Sequence, residues 1–276
     1  MPITGIDHIM LAVPDLTAAA AGLTGALGLV ANRHAAHPDF GTANRVLRIP
    51  GLYLELITIV DEEIAGKWHV GRRMTEVISA GGGPLAFVLG ARDMPATVDE
   101  LTAAGLPIDP PYEASGVRDD GSTIRTFWLA GYGEEFRTGR LPSLVEYGQP
   151  AEDDPPPDDL GYTLRGLVRV DVAVADLDDG IRRYSTLFGV SPAPGFDAVL
   201  DVPTAEFALP DSRTVRLIGP GVAPREGLFG IALGVADLPE AISATTMRGF
   251  ELFGTGVDGE VLLDPARTLN TRITLL

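Results

Sequence analysis

Hydrophobic and polar positions follow the same local order four times along the chain. In each copy, a short run of alternating apolar residues is followed by Asp, by Leu or Met, by a helix-like stretch and by Gly. The four copies begin at Asp15, Asp93, Asp176 and Asp237 and end at Gly28, Gly105, Gly189 and Gly249. Asp is a favoured N-cap because its carboxylate accepts hydrogen bonds from the first turn, and Gly readily adopts the left-handed conformation that ends a helix. The spacing predicts four helices, and Asp-to-Gly spans that alternate between 13 and 12 residues indicate a duplicated two-module unit.

Each copy predicts one module, with a strand before the helix and two or three strands after it. The predicted strands are residues 5–13, 28–33, 43–49, 52–60, 84–89, 124–130, 142–147, 167–174, 205–209, 214–218, 229–235 and 271–276. The predicted helices are residues 15–27, 93–104, 176–188 and 238–248. The stretch 61–80 is expected to contain an additional helix.

The first predicted strand has two different faces. Ile9, Leu11 and Val13 lie on one face, and His8, Met10 and Ala12 lie on the other. Side chains alternate along a strand, so the aliphatic face is expected to pack under the first helix. The mixed face is then expected to look into the space that the sheet encloses.

A linker is predicted between two domains. The stretch QPAEDDPPPDDLG, residues 149–161, sets three consecutive prolines among carboxylates. Proline disfavours helices and interior strands, and like charges resist collapse. A chain of 276 residues has room for two ordinary domains. We therefore predict domains at 1–149 and 162–276, with 150–161 as the linker.

The composition of the chain indicates which kinds of partner it can bind. The chain has 21 basic and 38 acidic residues and a net charge of −17, a field that repels a phosphate backbone, so no nucleic-acid partner is expected. The absence of cysteine removes disulfides and thiolate chemistry. Neither a signal-peptide pattern nor an apolar run of membrane-spanning length is present, so we expect a cytoplasmic protein with no membrane partner. The expected partner is a small-molecule substrate, and the chain is expected to be a monomer or homodimer.

Five stretches occur in the order seen in a known family. They are DHIMLAVPDL (7–16), HPDFGTAN (37–44), YLEL (53–56), RDDG (118–121) and LVEY (144–147). With the repeated βαβββ module, the first domain resembles the glyoxalase-like branch of the vicinal-oxygen-chelate superfamily, which includes glyoxalases, ring-cleaving dioxygenases and bleomycin-resistance proteins. The resemblance implies an α+β fold in which four βαβββ modules pair into two half-barrel domains. The second domain carries the repeat but not these stretches.

The resemblance also implies a divalent metal, held by the first and last strands of each module. Carried over position by position, it makes His8, Glu55 and Glu146 the metal ligands. The fourth position falls on Ala86, seven residues before Asp93, and alanine cannot coordinate a metal. The expected cofactor is a divalent Mn, Fe, Ni, Mg or Zn ion whose coordination is completed by substrate oxygens.

The residue pattern gives independent support and leaves alternatives open. Glu55 shares its strand face with Tyr53, and a carboxylate in an apolar cavity is costly unless it is paired. A metal would stabilise it, and so would Arg45 or Arg48 on the neighbouring strand. The alternative for His8 is donation to a backbone carbonyl, and the alternative for Glu146 is a solvated position near the domain end.

A second group of residues is expected near the substrate. The resemblance places His37, Thr42 and Asn44 beside the pocket, with His37 as general base or as the missing ligand. The alternative is a surface turn. Arg118 is a candidate to bind a carboxylate or enolate oxygen, or else a surface residue, and Trp128 is either a pocket wall or a core tryptophan.

The second domain is predicted to differ chemically. Its module places Arg169 at the position of His8 and Arg216 at the position of Glu55. All four histidines lie within the first 69 residues, so this domain has none to offer a metal. We expect Arg169, Asp171 and Arg216 to form an internal ion-pair cluster, with anion binding as the alternative.

Three functional hypotheses follow. The leading one is a metal-assisted isomerase, lyase or hydrolase that chelates vicinal oxygens of a small oxygen-rich molecule and stabilises an enediolate. Glu146 or His37 would move the proton. The second is a metal-free small-molecule binding or resistance protein on the same scaffold. The third is a ring-cleaving dioxygenase with iron in the first domain, since the second domain lacks histidines.

Overall fold

The fold is α+β with two eight-stranded sheets. The computed structural model describes residues 3–29, 31–118, 120–148 and 164–276. The predicted linker at 150–161 lies outside the described residues, and the predicted domain limits stay predictions. No helix in the described ranges is long and apolar enough to cross a membrane.

The first sheet closes into a barrel, here called the first barrel. Its strands are β1 (Ile3–Ala12), β2 (Ala31–His37), β3 (Thr42–Ile49), β4 (Leu52–Ile59), β5 (Gly83–Ala91), β6 (Tyr112–Val117), β7 (Thr123–Ala130) and β8 (Ser143–Tyr147). The strand order is β1-β4-β3-β2-β6-β7-β8-β5. The first strands of the two modules, β1 and β5, pair antiparallel, and β2 pairs with β6 through Ala36 and Val117. Two half-barrels thus share one enclosed interior.

The second sheet repeats this order but stays open. Its strands are β9 (Leu164–Ala173), β10 (Ala193–Asp197), β11 (Val202–Ala208), β12 (Thr214–Ile218), β13 (Gly227–Val235), β14 (Leu252–Gly254), β15 (Val261–Leu263) and β16 (Arg272–Leu275). The order β10-β11-β12-β9-β13-β16-β15-β14 leaves β10 and β14 as edges, although the corresponding strands of the first barrel, β2 and β6, are paired. The four βαβββ modules predicted from the repeat are therefore present.

The four predicted helices form, all with the predicted Asp N-caps and two with the predicted Gly C-caps. The helices are α1 (Leu16–Leu27), α2 (Glu62–Ala65), α3 (His69–Ser79), α4 (Met94–Ala103), α5 (Glu134–Thr138), α6 (Leu177–Phe188) and α7 (Leu238–Met247). The side chains of Asp15, Asp93, Asp176 and Asp237 accept backbone N–H groups at the starts of α1, α4, α6 and α7. Gly28 and Gly189 are left-handed C-caps. The additional helix expected within 61–80 is present as α2 and α3.

The two faces of β1 pack as predicted. Ile9, Leu11 and Val13 join the large hydrophobic core that contains α1. Met10 and Ala12 join a separate cluster inside the barrel with Met74 of α3 and Phe136 of α5. His8 lines the cavity beside them. Helices α3 and α5 thus supply apolar side chains to the barrel interior.

Several strands were not predicted. The sequences of β6 and β10, YEASGV and APGFD, lack clear alternation and contain glycine or proline, and β14 and β15 are only three residues long. Residues 28–33 were predicted as a strand, but β2 runs from Ala31 to His37. These strands depend on pairing partners more than on their own sequence.

The second sheet supports the strand that carries His8. The backbone N–H of Ile6 donates to Asp211 Oδ2 at 2.9 Å. Arg213 donates to the carbonyls of Ile6 and Gly51, each at 2.7 Å. These charge-assisted hydrogen bonds tie β1 and the β3–β4 turn to the second sheet.

Candidate functional site

The first barrel encloses a cavity of about 220 Å³. Polar side chains enter it from β1, β2, β3, β4, β7 and β8, and apolar side chains enter it from α3 and α5. A concave space with a few convergent polar groups is the usual form of a small-molecule site. The cavity therefore defines the candidate site.

His8 and Glu55 form a buried ion pair at the centre of the cavity wall. His8 Nε2 lies 3.4 Å from Glu55 Oε2, and His8 Nδ1 lies 2.7 Å from Asp7 Oδ1. Burial by itself would lower the pKa of His8, but hydrogen bonds and charges from Asp7 and Glu55 raise it to about 9. Burial would raise the pKa of Glu55, but His8 lowers it to about 2. The cationic partner of Glu55 is thus an imidazolium rather than an arginine of β3.

Asn44 extends this pair toward His37. Asn44 Nδ2 donates to Glu55 Oε1 at 2.5 Å and lies 3.5 Å from His37 Nε2. His37 Nδ1 lies 3.1 Å from Thr42 Oγ1. Burial lowers the pKa of His37, so its imidazole is neutral at pH 7. Among the described residues, the buried Oδ1 of Asn44 has no hydrogen-bond partner, so this acceptor is available to a ligand.

A directional hydrogen-bond chain runs along one side of the cavity. Tyr147 donates to Asp7 Oδ1 at 2.9 Å, and the hydroxyls of Tyr53 and Tyr147 are 2.9 Å apart. Because Tyr147 gives its proton to the carboxylate, its oxygen accepts from Tyr53, which in turn accepts from Arg125 at 3.3 Å. Burial raises the pKa of both tyrosines, so they stay neutral donors. The ring of Tyr53 also stacks on His8 at 4.7 Å, which fixes the imidazole plane.

Glu146 lies outside the cavity, which corrects its assignment as metal ligand and base. Its carboxylate accepts the backbone N–H groups of Asp93 and Met94 at 2.9 and 2.6 Å, at the start of α4. Its neighbours Val145 and Tyr147 line the cavity. Side chains alternate along β8, so Glu146 points to the outer face, where its charge stabilises the helix N terminus.

The remaining predicted residues separate into two groups. His37, Thr42, Asn44 and Arg118 line the cavity, and their functional roles stay predictions. Trp128 does not, which corrects its assignment as a pocket wall, because it packs against the outer hydrophobic core between two cavity-lining neighbours on β7.

Sequence reasoning missed Asp7, Tyr53, Tyr147 and Arg125 as members of the site. The sequence signal for Tyr147 was present, since it lies two residues from Val145 on the same strand face. Arg125 had no such signal because β6 and β7 were not recognised as a pair.

The sequence model of the glyoxalase-like domain matches residues 6–188, more than half of the chain. The chain belongs to the glyoxalase-like domain family. With its four βαβββ modules, it is a member of the vicinal-oxygen-chelate superfamily. No curated protein matches its sequence.

Solved structures share the fold across almost the whole chain. A hypothetical protein from Staphylococcus aureus has a TM-score of 0.67 and 11% identity over 98% of each chain. A triple mutant of 4-hydroxymandelate synthase from Streptomyces coelicolor has a TM-score of 0.66 and 16% identity over 100% of this chain and 92% of that one. A xylose isomerase-like TIM barrel/4-hydroxyphenylpyruvate dioxygenase fusion protein has a TM-score of 0.58 and 15% identity over 99% of this chain and 48% of that one. At these identities the likeness shows the fold alone.

Strand register identifies which residue of this glyoxalase-like protein corresponds to Glu55. In the parallel pair β1–β4, Met10 is opposite Glu55, and in the parallel pair β5–β8, Val88 is opposite Ser143. Met10 and Val88 each lie five residues before the Asp that caps the next helix. The position equivalent to Glu55 is therefore Ser143, three residues before Glu146.

The donor set does not fit the superfamily's four-ligand metal centre. Two of its four positions carry His8 and Glu55, and the other two carry Ala86 and Ser143. The hydroxyl of Ser143 already donates to the carbonyl of Gly131 at 2.9 Å. Within the described ranges, no group of three His, Cys, Asp or Glu side chains is arranged to hold a metal ion.

The second sheet carries a neutralised cluster at the same positions. Arg216 donates to both carboxylate oxygens of Asp171 at 2.7 and 3.0 Å, and Arg169 donates to Asp171 at 2.9 Å. Asp197 and Glu260 each lie 3.3 Å from one of these guanidiniums. The geometry is that of the internal ion-pair cluster expected from the sequence.

Proposed function

We propose that the first barrel binds a small oxygen-rich molecule directly through its side chains, without the four-donor metal centre of the superfamily. One observation carries this proposal. The two filled ligand positions, His8 and Glu55, are paired with each other, and the two remaining positions hold Ala86 and Ser143. A buried pair of opposite charges satisfies the electrostatic requirement that a metal would otherwise meet.

The polar groups of the cavity support direct binding. Asn44 presents a buried carbonyl oxygen that no described residue hydrogen-bonds, which suits a hydroxyl or amide donor of a ligand. His37 presents a neutral imidazole to the same space and is the group we propose to take up or release a proton. Binding with or without turnover uses the same contacts.

A metal-assisted isomerase, lyase or hydrolase is the second candidate, because His8 and Glu55 occupy two positions from which the superfamily binds metal. Cytoplasmic location and a monomeric or homodimeric state also stay predictions. The third hypothesis, a dioxygenase, needs a second histidine near Glu55, which only His37 offers.

The experiment compares metal content with ligand-induced stabilisation. Protein treated with chelator is screened by thermal shift against small hydroxy and keto carboxylates, before and after divalent metal is added. We expect less than stoichiometric bound metal, and a rise in Tm that chelator does not change. One tightly bound metal per chain, with stabilisation that disappears in chelator, would favour the metal-assisted candidate instead.

Two glutamates provide a matched pair of variants for the same screen. Glu55→Gln removes the carboxylate of the central pair and is expected to abolish the ligand-induced shift. Glu146→Gln makes the same chemical change on the outer face of β8 and is expected to lower the starting Tm only. Equal loss of the ligand shift in both variants would contradict the proposed site.

A further inference from the structure

The two ends of the cavity differ in chemistry. One end, here called the cationic end, is formed by Arg48, Arg125, Tyr53 and Tyr147. Arg125 lies 3.6 Å above the ring of Tyr147 and donates to the hydroxyl of Tyr53. Arg48 is opposite Tyr53 in the β3–β4 ladder, with its guanidinium 5.6 Å from that ring. The aromatic faces and hydroxyls hold both guanidiniums at the cavity wall.

The charge of the cationic end is only partly balanced by the protein, because the carboxylate of Asp7 interacts with Arg125 without direct contact. In the part of the chain that the structure describes, neither Arg48 nor Arg125 is in ion-pair contact with a carboxylate, and the buried Nε of Arg48 has no hydrogen-bond partner. The arginines inside the second sheet differ, because Arg169 and Arg216 are surrounded by carboxylates. Two guanidiniums that no described carboxylate contacts directly provide a local site for an anion in a chain of net charge −17.

The other end of the cavity, here called the apolar end, is formed by Val70 and Met74 of α3, Phe136 of α5, and Ile57 and Val145 of the barrel. Met74, Phe136, Ile57 and Val145 belong to the hydrophobic cluster inside the barrel. Methionine adapts to apolar groups of varied shape, and an aromatic ring supplies a large apolar surface. A hydrocarbon chain or ring would be buried at this end, whereas a polar group would find few hydrogen-bond partners among these five side chains.

We infer that the ligand of the first barrel is an amphipathic carboxylate, with its anionic group at Arg48 and Arg125 and its hydrocarbon body at the apolar end. This inference rests on the proposed function and names the ligand class. Arginine binds a planar carboxylate through paired N–H donors. Asn44, which is opposite Ile57 in the β3–β4 ladder, and His37 also line the cavity and would bind a hydroxyl or carbonyl on the ligand.

Calorimetry on the whole protein with octanoate, butanoate and 1-octanol as probes separates the two ends. Octanoate is expected to bind at least tenfold more tightly than 1-octanol, which lacks the charge. Octanoate is also expected to bind more tightly than butanoate, by about fourfold in affinity for each methylene that becomes buried. Equal affinity for octanoate and 1-octanol, or for octanoate and butanoate, would overturn the inference.

Variants test which residues bind the carboxylate and which bind the hydrocarbon chain. Arg48→Gln and Arg125→Gln are expected to weaken octanoate at least tenfold and to leave 1-octanol unchanged, whereas Phe136→Ala reduces the advantage of octanoate over butanoate. Arg92→Gln removes the same charge at an exposed position and is expected to change nothing. Circular dichroism checks that each variant is folded. Arg125→Lys keeps the charge and is expected to lose less affinity for octanoate than Arg125→Gln.

The outcomes distinguish this inference from the proposed function. If hydrophilic carboxylates bind in chelator and octanoate shows no preference, the ligand class is wrong and direct binding stands. If octanoate binds only after divalent metal is added and requires Glu55, direct binding is wrong. If Arg92→Gln weakens octanoate as much as Arg125→Gln, the cationic end is not the anion site.

Discussion

The two sheets of this protein have the same strand order but opposite chemistry at equivalent positions. In the first barrel, β1 and β4 present His8 and Glu55, which form one ion pair beside an enclosed cavity. In the second sheet, β9 and β12 present Arg169 and Arg216, which surround Asp171. In the first barrel, no carboxylate of the described residues is in direct contact with Arg48 or Arg125 of the cavity wall. In the second sheet, Arg169 and Arg216 are held in ion pairs with carboxylates. The two copies thus share the scaffold, while the equivalent strand positions border a cavity in the first barrel and form an ion-pair cluster in the second sheet.

The largest effect is expected for the ion-pair cluster of Arg169, Asp171 and Arg216 in the second sheet. Asp171→Asn leaves Arg169 and Arg216 close together without their shared carboxylate, and breaking a buried ionic cluster costs about 4 kcal/mol. Urea denaturation should show this loss of unfolding free energy. Ligand binding by the remaining folded protein is expected to be unchanged. A loss below about 1 kcal/mol would mean that the cluster is solvated.

The pH dependence of stability between pH 6.5 and 9 should come from the first barrel, because His8 lies on β1 and its folded pKa is strongly raised. The folded pKa of His8 is raised from 6.5 to about 9, so its contribution is fully present below pH 6.5 and disappears as pH rises through 9. The shift corresponds to about 3 kcal/mol. Denaturation at pH 6 and at pH 9.5 measures this fall.

The His8→Asn variant is the control for that titration. It is expected to be less stable than the parent protein at pH 6 and to show a much flatter profile between pH 6.5 and 9. An unchanged slope in the variant would assign the pH dependence to another group.

Adding metal donors at the positions of Ala86 and Ser143 would test whether the first barrel can form the superfamily's four-ligand metal centre. The double variant Ala86→His, Ser143→Glu places four donors at the four ligand positions, so we expect it to bind Zn²⁺ or Ni²⁺. At metal concentrations a hundredfold above Kd, stabilisation should reach about 2.7 kcal/mol. Thermal shift with and without chelator measures it, and the parent protein and each single variant serve as controls. Absence of any metal response would show that the strand register does not mark these positions.

The smallest expected effect concerns Glu146. Glu146→Gln weakens the hydrogen bonds and charge at the N terminus of α4, which typically contribute about 1 kcal/mol. Chemical denaturation gives this value, and the affinity for the best carboxylate of the thermal-shift screen should not change. A larger effect on binding than on stability would show that Glu146 belongs to the binding site.

Several parts of the site were accessible to sequence reasoning. His8 and Glu55 could be placed on the inner face because alternation is local to each strand. The assignment of Glu146, which was carried over from the family resemblance, failed because the spacing between paired residues differs between the modules. His8 pairs with Tyr53, 45 residues later, whereas Val88 pairs with Ser143, 55 residues later. The insertion of α5 before β8 lies within this longer connection, and no local pattern measures its effect on register.

The sequence by itself determined the four capped helices, the duplicated modules and the two faces of β1, because caps and alternation act over a few residues. The tertiary structure alone decided that Ser143 rather than Glu146 faces the cavity, and that His8 becomes the cation beside Glu55. It also decided that Arg48 and Arg125 meet at Tyr53. These outcomes depend on the register and closure of strands far apart in the chain, where a shift of one residue turns a side chain from the interior to the outer face.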